Sequence, residues 1–297
     1  MTSDTVAVPG ARLHVERAGD GPALVLISGG GGDAGMYADV VPLLARTFSV
    51  ITYDRRGNSR SPFTHPDASI TPAVQADDAV AILDQHGLER AFVFGNSGGA
   101  TITLDLVARH PDRLLGAVVH EPPLVQLLSA DSAEWREIEN IGRLGREGRV
   151  MRGYAAFGAM TLPDPPRIFL SPAGQAVIAA GTHVMLAAGT LARLLTRREP
   201  DLMTRQLHNA ELTLSRELPA LCFDYQPDLA ALAATSAPWC LATGRDSVGK
   251  PYYTPAHVLS QRLGIPCWEF PGGHVPFMQY PEEFAKALTT TLEGFAA

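Results

Sequence analysis

The chain predicts an α/β fold: a mostly parallel β-sheet with helices on both faces, interrupted once by a mainly helical insertion. Three observations carry this expectation. Short apolar runs rich in β-branched and aromatic residues recur along the chain, as strands buried on both faces should read. Stretches with helical features lie between them, and alternation of the two implies a parallel sheet joined by helical crossovers. The alternation stops after about Leu124 and resumes near Ala237, so residues 1–124 and 233–297 form the predicted core and residues 125–232 a predicted inserted cap.

The elements follow in order. Val6 to Arg17 alternates in polarity and predicts an antiparallel hairpin at the sheet edge. Buried strands are expected at Leu24–Ser28, Phe48–Tyr53, Ala91–Phe94, Leu115–His120, Pro238–Thr243 and Cys267–Phe270. Helices are expected at about 36–46, 73–87, 99–110, 255–264 and 281–294. The insertion reads as helical and irregular, with many Pro and Gly residues. If it emerges at the carboxyl end of the sheet, it sits over the crevice where open α/β sheets place their sites.

Composition bounds the function. A chain of 297 residues with 46% hydrophobic and 19% charged residues is ordinary for a globular protein with a large core. The net charge of −7 and the lack of a basic run argue against nucleic acid as a partner. Cys222, Cys240 and Cys267 are odd in number and lack metal-ligand spacing, which fits a reducing, cytoplasmic setting. The opening MTSDTVAVPG lacks a positive region followed by an apolar run, so no signal peptide is expected. Residues Ile168 to Ala192 carry no charge and are long enough to span a bilayer. Pro172, Gly174, Gln175, Gly181, His183 and Gly189 interrupt them, so a buried apolar element is expected instead.

One short stretch points to chemistry. In FVFGNSGGAT, a strand runs into Gly95-Asn96-Ser97-Gly98-Gly99 and a helix follows. The G-x-S-x-G spacing suits a serine held at the tip of a sharp strand-to-helix turn. A glycine-rich turn whose serine merely caps the helix is the blander alternative. A serine nucleophile needs a base, an acid to orient that base, and backbone N–H donors for the oxyanion it creates. Asp246 lies just past the predicted strand WCLAT, and His274 just past the last strand, in Gly272-Gly273-His274-Val275. Ser97, Asp246 and His274 are therefore the candidate triad, with Glu121, at the end of the strand before the insertion, the lesser alternative for the acid. Gly98, directly after the serine, is one candidate oxyanion donor. The glycine run 29–32 after the first long strand supplies the other.

That run also fits a dinucleotide-binding fingerprint, with Gly30, Gly32 and Gly35 in G-x-G-x-x-G spacing and Asp54 about 20 residues on. Arg55 and Arg56 even suggest a 2′-phosphate. Four consecutive glycines match many templates, however, and Pro42 would interrupt a phosphate-binding helix soon after it starts, so this reading is the weaker one. No Gly-Lys-[Ser/Thr] follows, which argues against a P-loop.

Five segments together resemble the α/β hydrolase superfamily: LVLISGGGGD, VITYDRRGNSRS, VFGNSGGAT, LATGRDS and FPGGHVPF. The resemblance covers nearly the whole chain outside the insertion. It implies the fold, a triad in the order Ser, Asp or Glu, His, and no metal or organic cofactor. By position it implies Gly30 as the second oxyanion donor, with the four glycines leaving that register open by one residue. Two departures stand out: Ser59 lies where the family's D-x-R-G-x-G-x-S loop usually has glycine, and Ser28-Gly29 stands where many members have His-Gly. The resemblance implies hydrolysis of an ester, lactone or related carbonyl bond. Carbon–carbon bond hydrolases, lyases and cofactor-free haloperoxidases share the fold, and a ligand receptor with a retained triad is the non-enzyme alternative. A serine nucleophile argues against dehalogenases and epoxide hydrolases that use aspartate.

The substrate pocket is expected at Gly29, Gly31, Asn96, Glu121, Phe157, Met160, Met185 and Val275. Few charges are available in residues 150–195, so an apolar face toward a hydrophobic small molecule is expected there.

Overall fold

A computed structural model describes residues 1–182, 186 and 200–296. Its sheet has eight strands in the order β1-β2-β4-β3-β5-β6-β7-β8. The edge hairpin is β1 (Thr2–Val8) with β2 (Ala11–Ala18), and β2 pairs antiparallel with β4 (Ser49–Tyr53). From β4 onward the sheet is parallel, through β3 (Ala23–Ile27), β5 (Ala91–Asn96), β6 (Leu114–His120), β7 (Trp239–Gly244) and β8 (Cys267–Phe270). The strands expected from the apolar runs are all present, with ends moved by a residue or so.

Alternate residues of each strand point to opposite faces, and the core divides accordingly. Val25, Ile27, Val93, Val119 and Leu241 pack on one side with α2 (Pro72–Gln85), α3 (Gly98–Arg109) and α9 (Tyr253–Leu263). Leu24, Leu26, Phe94, Val118 and Cys240 pack on the other with α1 (Val41–Leu44), α10 (Pro276–Gln279) and α11 (Pro281–Ala296). The helix expected at 36–46 is instead a 3-10 turn, Ala34–Tyr37, followed by the four-residue α1 with Pro42 inside it. A proline ring tolerates only the first helical turn, so no long helix starts here.

The strand order reverses at β3: β4 lies on one side of it and β5 on the other. Open α/β sheets form a crevice at such a switch point, at the carboxyl ends of the strands. The loops after β3 and β5 therefore meet there, and these are the glycine run and the serine turn.

Between β6 and β7 run α4 (Ala133–Arg146), α5 (Val150–Thr161), a 3-10 turn Arg167–Leu170, helical residues 172–182 (α6), α7 (Leu202–Leu212) and α8 (Leu229–Ala234). After α7 the chain continues in π-wound turns at Thr213–Glu217 and Pro219–Phe223. The short α8 packs on α3 and α9, so the chain has rejoined the sheet layers before β7 begins. Among the described residues, no helix is long and apolar enough to cross a membrane. The expected pocket residue Met185, and much of the charge-free run, lie outside the described residues.

Buried polar contacts tie this segment to the glycine loop. Arg55 donates to both Glu217 carboxylate oxygens, at 2.6 and 3.0 Å, and to the Gly29 carbonyl at 2.9 Å. Asn58 adds a bond to Glu217 Oε1 at 2.9 Å. Arg205 pairs with Asp33, and Asn209 Nδ2 donates to the Gly31 carbonyl at 2.6 Å. Ser59 joins the same network. Its φ of 48° explains why glycine is usual at this position, since a Cβ is strained there. Its hydroxyl donates to Asp33 at 2.5 Å and its amide to Asn209 at 2.8 Å.

The side chains beside the glycine run that suggested a dinucleotide have partners within the protein. Both arginines are buried and committed, Arg55 to Glu217 and Arg56 to Asp78, whose carboxylate it grips through two nitrogens. Asp54 accepts from Arg60 and from the Ala34 amide.

Candidate active site

Ser97 sits between β5 and α3 with φ 56° and ψ −123°, a conformation that costs a non-glycine residue roughly 1–3 kcal/mol. The surroundings enforce it. The Ser97 amide donates to the His120 carbonyl at 3.0 Å, and its own carbonyl accepts from Ala100 and Thr101 as α3 begins. The flanking glycines are there for contact. A Cβ on Gly95 would come within 2.1 Å of Thr103 Oγ1, and one on Gly99 within 2.2 Å of the Ile27 carbonyl. The motif thus packs α3 hard against the ends of β3 and β5.

Gly98 is the first residue of α3, so its amide has no partner within the helix. Gly29 lies close beside the serine: a Cβ there would meet Ser97 Cβ at 2.7 Å. Gly30, next along, lines the same cavity as Ser97 and faces the Phe157 ring. The Gly32 amide is used by the Gly29 carbonyl in a turn. Of the four glycines, Gly30 is the one that lines the serine's cavity.

The acid is where the structure departs from expectation. His274 Nδ1 lies 2.6 Å from Glu121 Oε2, with both side chains buried. Asp246 is not there. Its side chain is 53% exposed and has Arg245 at 3.9 Å. Its amide bonds the Gly272 carbonyl at 2.9 Å, so its backbone braces the histidine loop while its carboxylate faces solvent. Register explains the exchange. Asn96 pairs with His120 across β5 and β6, so Ser97 and Glu121 leave adjacent strands at the same level. Glu121 also has a positive φ, 53°, at the turn out of β6.

Glu121 is held as a carboxylate. Burial alone would raise its pKa, but neighbouring His120 and His274, and the hydrogen bond from His274, lower it overall. Its second oxygen accepts from the Gly244 amide at 2.8 Å. Ser247, buried with its hydroxyl outside strict hydrogen-bond geometry, adds to the same lowering. His120 is different: complete burial pushes its pKa down to about 4, so it is neutral at pH 7. Its Nδ1 pairs with Asn96 Oδ1 at 2.7 Å. On the face of the His274 ring lies Tyr252, centroid to centroid 3.6 Å and 22° from parallel.

Ser97 and His274 open onto one cavity of about 310 Å³. Its walls are mainly apolar and come from the inserted helices: Met151, Tyr154, Phe157, Phe169, Met203 and Leu207. Of the expected pocket residues, Asn96, Phe157 and Val275 line it. Gly29 and Gly31 do not, because their carbonyls and Cα positions are taken up by Arg55, Asn209 and Ser97. Glu121 is fully buried against the imidazole. Met160 is buried in the packing of α5, 3% exposed. Met151 and Tyr154 were not among the expected pocket residues; their three-residue spacing with Phe157 on α5 is the sequence signal that could have marked this wall. Met203 and Leu207 repeat it on α7, with less hydrophobic neighbours.

Comparison with known proteins agrees with the fold. The profile of a family described as alpha/beta hydrolase fold matches residues 22–159. An uncharacterized hydrolase of Bacillus subtilis is 29% identical over 305 residues, covering 99% of this chain and 97% of that protein. A zearalenone hydrolase of Bionectria ochroleuca is 24% identical over 298 residues, 98% of each chain. The crystal structure of an enol-lactonase from Burkholderia xenovorans superposes with a TM-score of 0.66 at 20% identity, covering 98% of this chain and all of that one.

Proposed function

The chain belongs to the α/β hydrolase superfamily, and from that premise we propose that it is a serine hydrolase cleaving an ester or lactone of a bulky, apolar small molecule. The observation that carries this reading is the buried 2.6 Å contact between Glu121 and His274, on a histidine that shares an apolar cavity with the strained Ser97.

In the proposed reaction Ser97 Oγ attacks the carbonyl carbon and its proton passes to His274 Nε2. Nδ1–H meanwhile donates to Glu121, which fixes the tautomer and stabilises the imidazolium. The amides of Gly30 and Gly98 receive the developing oxyanion. The tetrahedral adduct collapses, the alkoxide leaves with the proton from Nε2, and an acyl group stays on Ser97. Water, deprotonated by the same nitrogen, releases the acid and restores the serine. Helices α4 to α7 act as a cap whose apolar wall takes the substrate's hydrocarbon part. The hydrolase names of the relatives support this class of reaction.

The test pairs turnover with labelling. S97A should fold with an unchanged circular dichroism spectrum and lose ester turnover by about 10³-fold or more. Wild type should be labelled at Ser97 by a fluorophosphonate. Activity of S97A above about a tenth of wild type contradicts the assignment.

A further inference from the structure

Tyr252 is the one aromatic ring stacked on the candidate base among the described residues, and nothing in the reading above requires it. It lies in the loop after β7, directly before α9, and is 3% exposed. Its hydroxyl donates to the Met160 carbonyl at 3.0 Å. Met160 is in the last turn of α5, where carbonyls have no partner inside the helix. Burial raises the phenol pKa, so the hydroxyl stays protonated and keeps donating. The ring is therefore pinned at its far end, to the helix that carries Met151, Tyr154 and Phe157.

Glu121 fixes the imidazole only through Nδ1, in the ring plane. A ring held by one hydrogen bond can still tilt about it. A second ring 3.6 Å away and nearly parallel removes that freedom. We propose that Tyr252 is a positioning residue for His274: its ring face holds the imidazole plane toward Ser97 and favours the imidazolium that forms during reaction, while its hydroxyl anchors the ring to α5. An aromatic face attracts a cation, more strongly where water is excluded. The loop that was expected to supply the acid thus supplies the ring instead. The proposal rests on Ser97 and His274 being nucleophile and base.

The experiment separates ring from hydroxyl. The readout is fluorophosphonate labelling of Ser97, resolved into the maximal labelling rate and the probe concentration for half-maximal rate, from pH 5 to 9. The titratable groups facing the imidazole are Glu121 and His120 from β6 and Tyr252 itself, with Asp246 turned to solvent. Y252F keeps the ring and loses the anchor. It should lower the melting temperature while the maximal rate stays within about threefold of wild type. Y252L keeps apolar bulk without an aromatic face. It should lower the maximal rate by about tenfold, with the half-maximal concentration little changed, and move the acid limb of the profile down by about half a pH unit or more. A purely structural role would move only the melting temperature. Equal labelling rates and pH profiles for Y252L and Y252F overturn the proposal. Labelling of S97A at the wild-type rate would instead overturn the nucleophile assignment on which it stands.

Discussion

Glu121 and His274 are 153 residues apart in sequence and 2.6 Å apart in the fold. The contact joins the end of β6 to the loop after β8, across the intervening β7. It is possible because β7 ends in Gly244. A Cβ there would meet the carbonyls of Gly273 and Gly272 at 2.5 and 2.6 Å, so only glycine lets the histidine loop close down on the sheet. The same glycine gives its amide to Glu121. A G244A substitution should therefore impair labelling of Ser97 as well as stability, by displacing the histidine loop. Wild-type labelling kinetics in G244A would show that the loop can shift without consequence.

His120 makes stability depend on pH. Its folded pKa is about 4, against about 6.5 in an unfolded chain. Between those values the unfolded state binds a proton that the folded state refuses, so stability is full above pH 6.5 and falls as pH drops toward 4. Between pH 7 and pH 5 this group should cost about 2 kcal/mol. Urea unfolding of H120N at both pH values should show a correspondingly shallower loss than wild type. Parallel losses would mean that His120 titrates normally in the fold.

The Arg55–Glu217 pair is buried at both ends, with 1% and 2% of the side chains exposed. Removing one partner leaves an uncompensated buried charge, so E217A should cost about 3–5 kcal/mol by urea unfolding. The double variant R55M/E217L should lose much less than the sum of the single changes. Additive losses would show that the two charges do not depend on each other.

The cavity wall predicts substrate preference. Across a series of linear esters, each further methylene that is buried should raise kcat/KM by about fourfold, the equivalent of about 0.8 kcal/mol. The rise should end when the cavity of about 310 Å³ is filled. F157A should flatten the series by removing part of the wall. Fastest turnover of short, charged esters would contradict an apolar acyl site.

Much of this was legible in the sequence, for physical reasons that differ by residue. The strands announced themselves because a strand covered on both faces must be apolar throughout, as ALVLI and AFVFGN are. Ser97 was legible because its turn tolerates only glycine at Gly95 and Gly99. His274 was legible because it follows the last strand in a glycine-containing loop. The acid was not. Asp246 and Glu121 both follow the carboxyl end of a strand and both fit the order Ser, Asp or Glu, His; the glycine-containing loop and the resemblance of LATGRDS to the family favoured the aspartate. What decides is side-chain direction: Glu121 leaves β6 with a positive φ and turns inward, while Asp246 turns to solvent. Tyr252 was equally hidden, since a loop tyrosine carries no spacing that marks a stacking partner.

The most direct test of the account sets E121Q beside D246N in one turnover assay. Replacing the acid of a serine triad by its amide costs about 10⁴ in kcat in the measured serine protease case. E121Q should show a loss of that order, with the fold preserved by circular dichroism. D246N, altering an exposed side chain, should stay within about twofold of wild type. A large loss in D246N with E121Q nearly unaffected would contradict the assignment of Glu121 as the acid that orients His274.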